Sequence, residues 1–184
     1  YRVAYQRLEE VLKARKDDQQ LSDFYLEWAK SEAAGSKRVT IYLTAAKHLE
    51  RQGKIEQAIS ALKESLKIDP SLPEAYENLA PLLSRESRWE ELLDILKQRR
   101  ELAEEDERRI ALAFEMGEVC KEHLEDPVQA AVHFEYCLQL DPDHVGALEE
   151  LADIRYVRQH WEAAAELYQR LGDKGLSASR FMVA

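Results

Sequence analysis

Cys120, His123, His133 and Cys137 form the run C-x2-H-x9-H-x3-C, four donors at separations that superficially match zinc-ligand spacing. A second chemistry is also open, because His133 and Cys137 stand four apart and would share one helix face as a thiolate-imidazole pair. Whether either can operate depends on the elements that carry them. In an antiparallel helix pair turning near Leu124 to Asp126, Cys120 is level with about Ala131. Cys137 then falls roughly 9 Å further along the axis, at about 1.5 Å per residue. Zinc holds its donors within about 2.3 Å, so the spacing predicts buried, inert thiols and neither a metal nor a cofactor. No third group orients His133 and no oxyanion donor is evident. The 36 Asp and Glu residues are scattered over wet helical faces and specify no catalytic dyad. His48, His144 and His160 are isolated, and Trp28, Trp89 and Trp161 read as packing residues. The expectation is a chain with no catalytic residues.

Bulk properties limit the partners. With 184 residues, 45% hydrophobic and 34% charged, and only six Gly and five Pro, the chain reads as helix-rich and able to bury a sizeable core. A net charge of −10 argues against duplex nucleic acid or an anionic membrane surface, both of which need a cationic footprint. No apolar run is long enough for membrane insertion, and no signal-peptide pattern opens the chain. The compartment is left open, since the chain starts at Tyr1, with the cytoplasm as the default. Two cysteines form at most one bridge, which is no disulfide framework.

The chain repeats itself. Trp89-Glu90-Glu91-Leu92 returns 72 residues later as Trp161-Glu162-Ala163-Ala164, and Asp69-Pro70 returns 72 residues later as Asp141-Pro142. Ala75-Tyr76-Glu77-Asn78-Leu79 has its counterpart 71 residues earlier in Ala4-Tyr5-Gln6-Arg7-Leu8. Half of this period, about 34 to 36 residues, is the length of a two-helix repeat. Apolar residues recur at three- and four-residue spacing, as in Leu79, Leu82, Leu83 and Leu92, Leu93, Leu96, so each helix has one face to bury. Pro73 and Pro127 suit a first helical turn, Asp126 a cap, and Gly53 a helix end.

The residues within these repeats resemble the tetratricopeptide family. Stretch 39–72 supplies Tyr42, Ala45-Ala46, Leu49, Ala58, Leu62, Ile68 and Asp69-Pro70. Stretch 110–144 supplies Met116-Gly117, Ala130, Phe134 and Asp141-Pro142, with one extra residue near Leu124. Stretch 145–178 supplies Leu148, Leu151-Ala152, Trp161, Ala164 and Tyr168. Stretches 2–35 and 73–106 are degenerate, with Leu21 and Leu92 where the family has alanine and Trp28 and Arg99 at another small place, so their helix pairs should splay. The alternation of regular and degenerate repeats looks like bacterial members. The resemblance implies an all-α fold, a right-handed α-α superhelical solenoid, here one array with a further helix starting at 179–184, and it marks the chain as part of a longer protein.

In this family the first helix of each repeat lines the concave wall. Carried over, that wall contains Arg7, Glu10 and Ala14; Thr44, Lys47 and Arg51; Asn78, Pro81 and Arg85; Glu115, Glu118 and Glu122; and Glu150, Asp153 and Val157. A positive stretch of Lys47, Arg51 and Arg85 gives way to an acidic one, which would orient an extended ligand with the opposite order of charge. Pro81 has a candidate role there: inside a helix it lacks the N–H that would bond the Glu77 carbonyl, leaving that oxygen for a ligand or water. Asn78 occupies a place used by chaperone-tail-binding members. Leu43, Lys47, Ala111 and Glu115 depart from the rest of that clamp, so an acidic chaperone tail is not implied. The function expected is a non-catalytic scaffold binding a peptide or partner protein on its concave face. Two alternatives stand beside it, the substrate-recognition arm of a larger enzyme such as a glycosyltransferase, and a self-assembling repeat that forms a homodimer through exposed solenoid ends.

Overall fold

The computed structural model describes residues 2–15 and 18–173, and among them there are ten α-helices and no strand. They are α1 (Arg2–Arg15), α2 (Asp18–Ser31), α3 (Gly35–Arg51), α4 (Ile55–Ile68), α5 (Pro73–Arg85), α6 (Trp89–Leu102), α7 (Asp106–Glu122), α8 (Pro127–Leu140), α9 (Val145–Val157) and α10 (Trp161–Asp173). The helix expected at 179–184 lies outside the described residues. The helices group into two compact units, residues 1–88 holding α1 to α5 and residues 89–184 holding α6 to α10.

In unit 1 each helix packs on the next in chain order. In α5, Ala75, Leu79 and Leu83 have no exposed surface, and between α3 and α4 Ala45, Leu49, Ala58, Ile59 and Leu62 are all 2% exposed or less. Alanine there lets two backbones approach while leucine fills the flanking space, so burial rather than helix propensity stabilises these 14- to 17-residue helices. α1 is different. Its one fully buried apolar residue among those described is Leu12, and Leu8 and Val11 are each 46% exposed. α1 meets α2 through rings instead of small residues: Tyr5 stacks on Trp28 at 5.4 Å, and Tyr25 donates its hydroxyl to Glu9 Oε1 at 2.7 Å. That is how a repeat with Trp28 and Leu21 at small places is accommodated.

Unit 2 is centred on Phe134, which is completely buried. Its ring lies against Gly117 so closely that a Cβ there would come within 2.5 Å of it, which explains the glycine in the middle of α7. Phe114 tilts against Phe134 at 5.4 Å, and Cys120, Cys137, Leu151 and Ile154 complete the cluster.

Turn chemistry sets the hairpins. After α3, Gly53 has φ 74°, with Lys54 N–H bonded to the Leu49 carbonyl and Gly53 N–H to that of Glu50, the paired bonds of a left-handed helix stop. The same pair of bonds recurs around Ser87 (φ 55°) and Gln159 (φ 61°), where no glycine is present. Between α7 and α8 the link is one residue longer. The left-handed residue there is Glu125, and Asp126 caps α8 by accepting from the N–H groups of Val128 and Gln129. Pro73 and Pro127 both stand in first helical turns.

Candidate functional site

Of the residues expected on the inner wall, unit 1 carries Thr44, Lys47, Arg51, Asn78, Pro81 and Arg85 on α3 and α5. Lys47 Nζ reaches Glu74 Oε1 at 2.8 Å, tying the middle of α3 to the first turn of α5. Both side chains are about half exposed, so the pair contributes little to stability and leaves Lys47 open to exchange for a ligand carboxylate. Arg51 and Arg85 are exposed and form no ion pair among the described residues. Two of the expected contact residues also bond to their own helix. Thr44 Oγ1 donates to the Thr40 carbonyl at 2.8 Å, and Asn78 Nδ2 donates to the Glu74 carbonyl at 2.8 Å, each folding back onto its own helix. Pro81 sits exposed within α5, which runs through it, so the Glu77 carbonyl lacks its usual helical donor.

Unit 2 carries Glu115, Glu118, Glu150 and Asp153 on α7 and α9. Glu118 gathers the acidic group around itself. Its carboxyl is pushed above the usual carboxylate range, first by burial and then by the charges of Glu122, Glu150 and Glu115, with Lys121 partly opposing them. Glu115 and Glu122 flank it at three- and four-residue spacing on α7, while Glu150 arrives from α9 and is bridged by Lys121. Asp153, one turn beyond Glu150, accepts from the Tyr168 hydroxyl at 2.6 Å, so α10 fixes its orientation. The pairings of Lys121 and Tyr168 escaped the sequence reading because partners 29 and 15 residues away leave no local signature.

The Cys/His quartet is dispersed. His123 ends α7 with its ring stacked on Trp89 of α6 at 3.6 Å, while Cys120, His133 and Cys137 are buried. Among the described residues no three His, Cys, Asp or Glu side chains stand close enough to hold a metal. Burial pushes the Cys137 thiol up to about 11 and raises that of Cys120, so neither supplies a thiolate near neutrality. Cys137 spends its proton on the Ile110 carbonyl at 3.4 Å. Two of the histidines expected to be isolated are employed. His144 Nδ1 accepts from Ala147 N–H at 3.1 Å as the cap of α9, and His48 stacks on Tyr25 at 5.5 Å. Position alone signals the first, since His144 directly precedes a helix start. The tryptophans differ in use: Trp89 is covered by His123, whereas Trp161 is 55% exposed and stands edge-to-face with Tyr156 at 5.1 Å. Among the described residues no helix is long and apolar enough to cross a membrane.

Paired helices with small residues at their crossings, joined by recurring left-handed stops, repeat along both units. Family models match at two places, one described as TPR repeat over residues 50–85 and one as tetratricopeptide repeat over residues 123–180, together more than half of the chain. The chain belongs to the tetratricopeptide repeat family. Solved structures agree on the fold. A crystal structure of MamA matches with a TM-score of 0.57 and 16% identity, over 94% of this chain and 97% of that one. A second MamA structure, AMB-1, also reaches 0.57 at 16% identity, covering 99% and 97%. YrrB, described as a TPR protein with an unusual peptide-binding site, matches with 0.53 and 18% identity over 92% of this chain and 84% of that one. No curated protein matches the chain in sequence. At such identities the likeness is one of fold. Tetratricopeptide arrays are in general interaction modules for other proteins, and that much of the function follows from membership.

Proposed function

We propose that this tetratricopeptide array is a scaffold without chemistry of its own, which holds extended segments of partner proteins on its odd-numbered helices. The observation that carries the reading is the gathering of Glu115, Glu122 and Glu150 about Glu118, at a cost visible in that residue's raised proton affinity. Folding gains nothing from crowding four carboxylates, and a Lys- or Arg-rich segment would relieve the repulsion. Unit 1 offers the opposite sign in Arg51, Arg85 and the exchangeable Lys47, which suits an acidic segment, and the Glu77 carbonyl, denied its usual helical donor by Pro81, adds an acceptor for a backbone N–H. Asp153 and Glu150 extend the acidic wall along α9, while Thr44 and Asn78 shape the basic one. Each unit thereby discriminates partner segments by the sign of their charge.

The test is fluorescence anisotropy with a labelled Lys/Arg-rich peptide. The Glu115→Lys/Glu118→Lys variant should bind at least about tenfold more weakly, a loss of about 1.4 kcal/mol. Wild-type affinity should fall as salt is added, because the contacts are exposed ion pairs. Unchanged affinity in the double variant would remove the acidic wall from the function.

A further inference from the structure

His133 has no use in the fold described so far. It is 5% exposed, and neither of its buried ring nitrogens has a hydrogen-bond partner. Leaving such a group unpaired is costly, a penalty that an apolar residue of similar size would avoid.

Its surroundings are specific. Leu93, Lys97 and Arg100 fall at four- and three-residue steps along α6, so they share one face of that helix. Leu93 packs on the cluster that contains Phe134 and Cys137, and the Arg100 guanidinium carbon lies 4.7 Å from the centre of the Tyr136 ring. The stripe therefore runs along the turn of α8 that carries His133. Burial first, then the charges of Arg100 and Lys97, depress the proton affinity of His133 to a pKa of about 4. Among the described residues, Glu135 on α8 is taken by Arg155 of α9, and Lys97 pairs with Asp94 of its own helix at 3.6 Å, an exposed ion pair. Arg100 has no carboxylate partner among the described residues, in a chain whose net charge is −10. Two cations and a buried imidazole with no acceptor form an arrangement that a negative oxygen would complete.

We propose that Lys97, Arg100 and His133 form an oxyanion notch between α6 and α8, which takes a carboxylate or phosphate group presented by a partner. The planar fork of Arg100, held over Tyr136, supplies a bidentate contact, and Lys97 supplies a point charge. His133 donates one N–H when neutral. Bound anion offsets the two cations, so anion binding and protonation of His133 reinforce each other. The notch shares no residue with the acidic wall on α7 and α9, so it stands or falls separately from the scaffold reading.

The experiment follows the ring nitrogens of His133 by NMR in the full chain labelled at histidine, titrated with inorganic phosphate and, separately, with an acetylated tri-glutamate peptide. Saturable shifts at His133, with its titration midpoint moving up by about one pH unit or more at saturation, are expected for the anion that fits. A response to phosphate alone assigns the notch to phosphate groups, and a response to the peptide alone assigns it to carboxylates. Arg100→Gln should weaken binding about tenfold with an unchanged circular dichroism spectrum, while Lys67→Gln, on α4, should leave it intact. His133 signals that ignore both anions, or that respond equally in wild type and Arg100→Gln, would overturn the proposal.

Discussion

Burial and the charges of Glu122, Glu150 and Glu115 raise the proton affinity of Glu118, and Lys121 only partly compensates. The direction sets the pH dependence. In the unfolded chain Glu118 has the ordinary carboxylate pKa, and in the folded chain a higher one. At neutral pH both states are ionised and only the folded state bears the penalty, which disappears as acid protonates the folded carboxyl first. Glu118→Gln should therefore raise the melting temperature at pH 7, with a gain that shrinks as the pH falls through the carboxylate range. A gain that is constant with pH would mean the glutamine acts through packing. At this scale the sequence was only partly readable. It placed Glu115, Glu118, Glu150 and Asp153 on shared helix faces by spacing, but the grouping around Glu118 depends on the packing of α9 against its neighbours. It likewise placed Asn78 and Thr44 on inner faces, where both side chains instead satisfy carbonyls of their own helices.

Hairpin stops belong to the scale of the element. Gly53, Ser87 and Gln159 occupy the same place in three turns, all with positive φ, and the latter two strain a side chain into the left-handed region. Glycine relieves that strain but loses more freedom on folding, so Ser87→Gly should stabilise by about 0.5–1 kcal/mol, readable as a rise in the denaturant midpoint without a change in slope. A fall in the midpoint would show that the Ser87 side chain, and not the backbone, carries the turn. Helix starts were legible because Pro73, Pro127 and Asp126 act locally. The left-handed stops at Ser87, Glu125 and Gln159 were not, since no glycine marks them. Between α1 and α2 the Tyr5–Trp28 stack takes the place that small residues hold in the regular repeats.

At the scale of the whole molecule, stability in repeat proteins is a sum over neighbouring helices, so protection against hydrogen exchange should follow local burial. Among the described residues α5, α7, α8 and α9 each hold three side chains with no exposed surface and α3 holds Ala45 and Leu49, while α1 has Leu12 alone buried among its described apolar side chains. Amides of α1 should exchange at least about tenfold faster than those in the middle of α3 or α7, as measured by mass spectrometry at neutral pH. Equal protection would mean that the aromatic contacts of α1 hold it as firmly as a close-packed crossing.

Read as a string, the chain determined its helical periodicity, its repeat of about half of 72 residues and its resemblance to the tetratricopeptide family. These follow from local rules, because side-chain spacing on a helix and turn-forming residues act within a few positions. Tertiary structure alone decided which carboxylates crowd Glu118, that Lys47 meets Glu74, that His123 covers Trp89, and that His133 is buried without a partner beside Arg100 and Lys97. Each of these joins residues on different helices, and such contacts depend on how two surfaces pack rather than on the order of residues within either.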